Sequence, residues 1–235
     1  MQIEVFSDVV CPWCYIGKRR LEEALSTFAH ADEVTVTYRS FQLDPSTPQH
    51  TDQTLDEMLA TKYGRSLVEA RAMNQRVSDI AATVGLDFQL EQAHPANTFD
   101  AHRLLHFAAD HDRQGELKER LLRAYFTEGR KLGDHEELAD LAAEVGLDRK
   151  AAADVLAGDD YAEAVDEDLA LARGFGASGV PFFVFDRKYG ISGAQETAVF
   201  TGVLDRAWAE ATPTPLVLAG DAGEACTDDS CAVHT

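Results

Sequence analysis

Cysteine is scarce: four residues in a chain of 235, far too few for a disulfide scaffold. Positive charge is scarce as well. Twenty-one Lys and Arg stand against 41 Asp and Glu, a formal net charge of −20. Phosphate backbones and anionic membranes are held by clustered Lys and Arg, so this balance argues against nucleic-acid and membrane partners. No apolar run approaches the about 20 residues of a membrane-spanning helix. The opening "MQIEVFSDVV" has no basic leader ahead of a long apolar stretch, so the expectation is a cytoplasmic protein. No fixed-period repeat is present. What remains is an ordinary globular composition, 45% hydrophobic, long enough for a sizeable core.

"QIEVFSD" alternates around Ile3 and Val5 and reads as a strand. A helix follows, with Pro12 in its first turn, where a missing N–H costs nothing. Cys14, Lys18 (through its stem), Leu21, Leu25 and Phe28 share one helical face. "EVTVTYRSFQL" reads as a second strand. From about Thr54 to Gly174 the signals are helical, including a Ser66-x-x-Glu69 capping box and a helix running from an Asp134 cap to a Gly146 stop. "GVPFFVFD" and "RKYGISGA" make a β-hairpin. "TAVFTGVLDRAWAEA" is a closing helix with Val199, Val203, Leu204 and Trp208 inward. The order β-α-β, helices, β-β-α predicts an α/β fold with one sheet split by an all-helical insertion. Residues 1–50 and 175–212 form the sheet unit, 51–174 the insertion, and 213–235 a tail.

The chemistry-bearing element is "SDVVCPWCYIGKRR". It sets Cys11 and Cys14 around Pro12 and Trp13 at the junction of a strand and a helix. A helix N-terminus carries unpaired N–H groups and partial positive charge, which stabilise a thiolate. Cys11 is expected to be the more exposed and to attack. Cys14, one turn in, is expected to resolve the mixed disulfide. Zinc needs about four ligands, and only Cys226 and Cys231 remain elsewhere. The i,i+4 pair His102 and His106 is an ordinary helical spacing. No metal or cofactor is called for at the first pair. Pro181 opens a strand and cannot donate to a ladder. A cis Val180–Pro181 bond would leave the Val180 backbone free to pair with an extended client.

"FSDVVCPWCYIGKRRLEEAL", "FQLDP", "NTFDAHRLL", "AYFTEG", "GVPFFV" and "SGAQ" together resemble the FrnE-like cytosolic branch of the DsbA family, over nearly the whole chain. The resemblance implies a thioredoxin fold with a helical insertion. It also implies a cis Pro181 and backbone pairing of clients at Val180. It makes Asn97 and His102 candidate groove residues, with Arg39 and Gln42 weaker ones. The implied activity is that of a thiol–disulfide oxidoreductase on protein or peptide clients, working with glutathione or a dithiol reductant. In DsbA itself a His stands where Trp13 is. The expected reduction potential therefore lies between about −120 mV for DsbA and about −270 mV for thioredoxin. Reductase or isomerase work is as open as oxidation. Kappa-class glutathione transferases and 2-hydroxychromene-2-carboxylate isomerases resemble the chain in architecture, with a serine at the place of Cys11. A non-catalytic client-binding chaperone is a third reading.

The tail "EACTDDSCAVHT" holds Cys226 and Cys231, close enough for a disulfide. It could relay electrons to the first pair, stay a structural disulfide, or bind metal with His234 and Asp228. A homodimer is compatible with the sequence, but no exposed apolar stripe argues for one.

Overall fold

The computed structural model describes residues 1–211. The tail with Cys226, Cys231, Asp228 and His234 lies outside the described residues. Strand β1 (Gln2–Ser7) leads into helix α1 (Pro12–Ser26), and strand β2 (Thr35–Ser40) follows. The insertion then runs through α2 (Leu55–Tyr63), α3 (Leu67–Ala82), α4 (Phe99–Ala109), α5 (Gln114–Phe126), α6 (His135–Glu144), α7 (Arg149–Ala157) and α8 (Ala162–Gly174). The chain returns with β3 (Phe182–Phe185) and β4 (Tyr189–Ser192), and closes on α9 (Thr197–Ala211). This is a thioredoxin-like fold with a helical insertion. Among the described residues no helix is long and apolar enough to cross a membrane.

The sheet order is β2-β1-β3-β4. β1 runs parallel to β2 and antiparallel to β3, and β3 and β4 form the hairpin. This order positions the site. Phe6 pairs with Phe182, so the end of β1 and the start of β3 meet at one rim of the sheet. The segment after β1 carries the two cysteines, and the residue before β3 is Pro181.

The alternation in β1 suggests one polar face, yet both faces are covered. Glu4 is buried and accepts from Arg39 at 2.8 and 3.0 Å and from Arg187 at 3.0 Å. A buried carboxylate needs such partners, since one left unpaired would cost several kcal/mol, about 3–5.

Helix α1 serves two cores. Leu21 and Ala24 pack with Ile3, Phe183, Phe185 and Phe200 over the sheet. Tyr15 and Ile16 face Leu104, Leu121 and Phe126 of the insertion. The insertion is thus fixed to the helix that carries the cysteines. Four of its helices start where short polar side chains cap them: Thr54 with Glu57, Ser66 with Glu69, Asp134 and Asp148. In α9 the expected inward Val199 is exposed, and the next residue, Phe200, is fully buried against Phe183. Leu204 is buried and Val203 packs on the same core, as expected, so the buried stripe of that helix runs through Phe200, Leu204 and Ala207.

Helix α9 lies beside α1 and runs the same way. Its first residue, Thr197, donates to Glu23, and Trp208 stacks on His30 just beyond the C-terminal end of α1. Its last turn is therefore at the end of the molecule opposite Cys11.

Candidate active site

Cys11 is the N-cap residue of α1, in extended conformation, with Pro12 in the first turn. Its N–H donates to the Asp8 carbonyl at 3.3 Å, and its own carbonyl accepts the Cys14 N–H at 3.0 Å. The thiols of Cys11 and Cys14 are neighbours. The expected difference in exposure is absent: each is 3% exposed. Trp13, between them, takes the outer position. Cys11 is instead reached from a cleft of about 280 Å³ between the sheet rim and the α2–α3 pair.

The Val180–Pro181 bond is cis, and the Val180 carbonyl oxygen lies 3.6 Å from Cys11 Sγ. This contact depends on close packing of α1. A Cβ on Gly17 would sit 3.1 Å from both Pro181 Cγ and Phe183 Cζ, so a glycine lets the helix approach the proline.

Behind the cysteines lies a buried polar group that sequence reasoning missed. Lys118 of α5 is 1% exposed. Its Nζ donates to the Ser7 carbonyl at 3.4 Å and stands 5.9 Å from the centre of the Tyr38 ring. Burial pushes its pKa down to about 8, against the opposing pull of Cys14, Asp8 and Cys11. A signal for it existed. Lys118, Leu121, Leu122 and Tyr125 share one helical face, and the other three are core residues.

Asp8 is equally buried. Its carboxylate accepts the Leu43 N–H at 2.8 Å and faces His102 Nε2 at 3.3 Å. Burial alone would raise its pKa. The His102 hydrogen bond, the Leu43 N–H and the Lys118 charge outweigh burial and hold the carboxyl below its ordinary range. Burial pushes His102 down, so at neutral pH it is the neutral ring whose Nε2–H donates to Asp8. Its buried Nδ1 has no partner among the described residues. For Cys14, burial and then the adjacent Cys11 sulfur push the thiol well up, while Lys118 and the Asp8 N–H act the other way.

The cleft at Cys11 brings together Cys11, Pro12, Trp13 and Val180. It excludes the two proposed groove residues. His102 is fully buried and reaches the site only through Asp8. Asn97 pins the loop after β2, donating to the Pro45 and Thr47 carbonyls and accepting from Gln42 and the Phe99 N–H. Both are consumed by internal contacts that local sequence does not reveal. Arg39 is bound to Glu4 and Asp168, and His106 to Ser40 and Asp168. His102 and His106 thus have separate partners. No cluster among the described residues has a metal-ligand arrangement.

Residues 2–205 match the DSBA-like thioredoxin domain. The chain is 44% identical to a probable DsbA oxidoreductase, SCO1869 from Streptomyces coelicolor, with a TM-score of 0.86 and 100% of both chains covered. A 2-hydroxychromene-2-carboxylate isomerase shares the fold at 16% identity and a TM-score of 0.67, over 90% of this chain and 98% of that one. So does the cytosolic disulfide reductase DsbM from Pseudomonas aeruginosa, solved with GSH, at 18% identity and a TM-score of 0.63, over 88% and 99% of the two chains. A cysteine pair at the start of α1, the carbonyl of the residue before a cis-proline against the first thiol, and a match spanning almost all described residues lead to one conclusion: the chain belongs to the DSBA-like thioredoxin domain family.

Proposed function

We propose that the protein is a thiol–disulfide oxidoreductase that uses Cys11 and Cys14 on protein or peptide disulfides. The observation that carries this reading is the meeting of Cys11 Sγ with the Val180 carbonyl, with a second thiol alongside. The Cys11 thiolate attacks one client sulfur. A Cys11–client bond forms, the client S–S bond breaks, and the departing client thiolate takes a proton. Cys14 then loses its proton and attacks Cys11 Sγ, which releases the second client thiol. The client gains two electrons and two protons, and Cys11–Cys14 becomes a disulfide. A dithiol reductant or glutathione restores it, so the cycle runs as a reductase, or as an isomerase when the released thiol attacks elsewhere in the client. Lys118 and the Asp8 N–H assist the second step, where the buried Cys14 must become a thiolate. The cytoplasm is the compartment proposed, in keeping with the reducing direction.

Cys226 and Cys231 serve in this scheme as an electron relay. The tail starts from the far end of α9, so it must return along the 15 residues of α1, about 22 Å. The stretch before Cys226 could extend for more than about 40 Å, enough to make the journey.

Two assays test the reading. The protein should reduce insulin with dithiothreitol as donor, and Cys14→Ser should trap client mixed disulfides that Cys11→Ser does not. Conjugation of a chloro-nitrobenzene by glutathione without insulin reduction would favour the transferase reading suggested by the isomerase-like fold. Client binding that survives loss of both cysteines, without turnover, would favour a chaperone.

A further inference from the structure

Arg19 and Arg20 are neighbours on α1 and serve different sides of the molecule. Arg19 reaches across to Glu119 of α5. Arg20 turns the other way, and its side chain is only 11% exposed, so it is not placed to meet a client. A buried guanidinium is costly unless its donors find partners. Arg20 finds them on the loop between β4 and α9. One nitrogen donates to the Ala194 carbonyl at 2.6 Å, and the other pairs with Glu196 at 2.9 Å. The Glu196 side chain is 78% exposed, where an ion pair contributes little. The charge-assisted bond to the Ala194 carbonyl is therefore the contact that fixes position.

The loop held by Arg20 holds the proline in turn. Gly193, next to Ala194, donates its N–H to the Pro181 carbonyl at 2.8 Å. It does so at a φ of +78°, a conformation that glycine takes without strain. Ala194 and Pro181 also lie against one point of α1: a Cβ on Gly17 would meet Pro181 Cγ at 3.1 Å and Ala194 Cβ at 3.4 Å. Pro181 follows Val180, whose carbonyl oxygen lies 3.6 Å from Cys11 Sγ. A chain of contacts thus runs from Arg20 through Ala194, Gly193, Pro181 and Val180 back to Cys11. Both of its ends are on α1.

We infer that Arg20 is a positioning residue for disulfide exchange: it anchors the β4–α9 loop on the helix that carries Cys11 and so, through Gly193 and Pro181, fixes the Val180 backbone against which an extended client pairs. The inference rests on the disulfide-exchange reading of the site. Arg20 takes no part in the electron or proton transfers. Without its donors the Ala194 carbonyl loses its tie to α1, and the loop and the proline shift together relative to Cys11. A client that pairs with Val180 feels that shift. A disulfide that has no peptide backbone does not.

The test compares two disulfides that share a leaving group: an extended peptide whose single cysteine is capped by 2-mercaptoethanol, and bis(2-hydroxyethyl) disulfide. Single-turnover rates of the reduced protein are measured for the wild type, Arg20→Met, Arg20→Lys and Glu196→Gln. Arg20→Met should lower the second-order rate about tenfold for the peptide, the equivalent of one or two backbone hydrogen bonds, and less than about twofold for the small disulfide. The loss should lie in the half-saturating peptide concentration, with the limiting rate and the pH profile of Cys11 alkylation unchanged. Arg20→Lys, which keeps a donor for the Ala194 carbonyl, should recover part of the loss. Glu196→Gln should stay within about twofold of the wild type on both substrates. Melting curves establish that each variant folds. Should Arg20→Met not fold, Arg20→Lys has to show the same substrate-dependent loss in smaller measure. Equal losses on the two disulfides, or no loss on either, would overturn the inference while leaving the exchange chemistry standing. A wild-type protein that reacts with neither disulfide would overturn the chemistry and the inference together.

Discussion

The Asp8 carboxylate and the His102 ring meet at 3.3 Å with both side chains 1% exposed, 94 positions apart in the chain. One immediately follows β1, the other is on α4, so the pair joins the cysteine segment to the insertion. His102→Ala should cost about 3–5 kcal/mol, since it opens a cavity and strips a buried carboxylate of a donor. Urea unfolding would measure it. His102→Gln, which can still donate, should recover part of the loss. If Gln is as damaging as Ala, the hydrogen bond is not what matters.

Lys118→Met removes the cation that acts on the buried Cys14 thiol and keeps most of the side-chain length. Cys14 should then ionise less readily, so release of a preformed mixed disulfide should slow about tenfold near pH 8. The rate profile should move to higher pH. In the wild type the Lys118 charge fades above about 8, where its own pKa lies, so its benefit is greatest below that point. Stopped-flow release rates from pH 6 to 10 decide the matter. Overlapping profiles for the two proteins would show that Lys118 is structural.

Glu119 ties α5 to α1 through Lys18, Arg19 and Tyr15. Burial would raise its pKa, but Arg19 and Lys18 prevail and hold it at about 2. The folded value lies below the unfolded one. The stabilisation is therefore whole above about pH 4.5 and is lost as pH falls toward about 2. With partial solvent screening, about 1–2 kcal/mol is expected. Glu119→Gln should lower stability at pH 7 by that amount and flatten the acid limb of the curve. Parallel acid limbs for the two proteins would refute the assignment.

Much of the site was legible because its signals are local. Pro12 between a strand and a helix, a cysteine on either side of Pro12-Trp13, and Val-Pro before an aromatic strand each declare their backbone role within a few residues. Ser66 and Glu69 declared a helix start in the same way. Thr54 and Glu57 carry the same spacing, so that cap was equally readable. What stayed hidden depends on distant partners. Lys118 shares the apolar face of Leu121, Leu122 and Tyr125, but its charge and its neighbours Glu116, Glu119 and Arg120 disguise the burial. Only the sheet and α1 arriving from elsewhere turn it inward. Asn97 and His102 looked available because nothing nearby shows that Pro45, Thr47 and Asp8 use up their hydrogen bonds.

Gly17→Ala tests the closeness of α1 to the proline loop. Helix propensity favours alanine by about 1 kcal/mol. Against it, the added methyl meets Pro181 and the fully buried Phe183 at 3.1 Å, and overpacking of this kind costs about 1–3 kcal/mol. The net expectation is a lower melting temperature and slower client reduction, as the helix moves off Val180. A more stable variant with full activity would mean that the loop yields freely.

The separation of 169 positions between Cys11 and Val180 also sets a schedule for biosynthesis. At about 5–20 residues per second, the cysteines precede their carbonyl neighbour by about 10–30 s. Until Phe182 to Phe185 are made, β1 can pair only with β2, and the dithiol lacks the rim that later encloses it. Ribosome-arrested chains ending near residue 170 should therefore be alkylated at Cys11 and Cys14 much faster than the finished protein. During that interval the enzyme would itself be exposed to the thiol chemistry it performs on others.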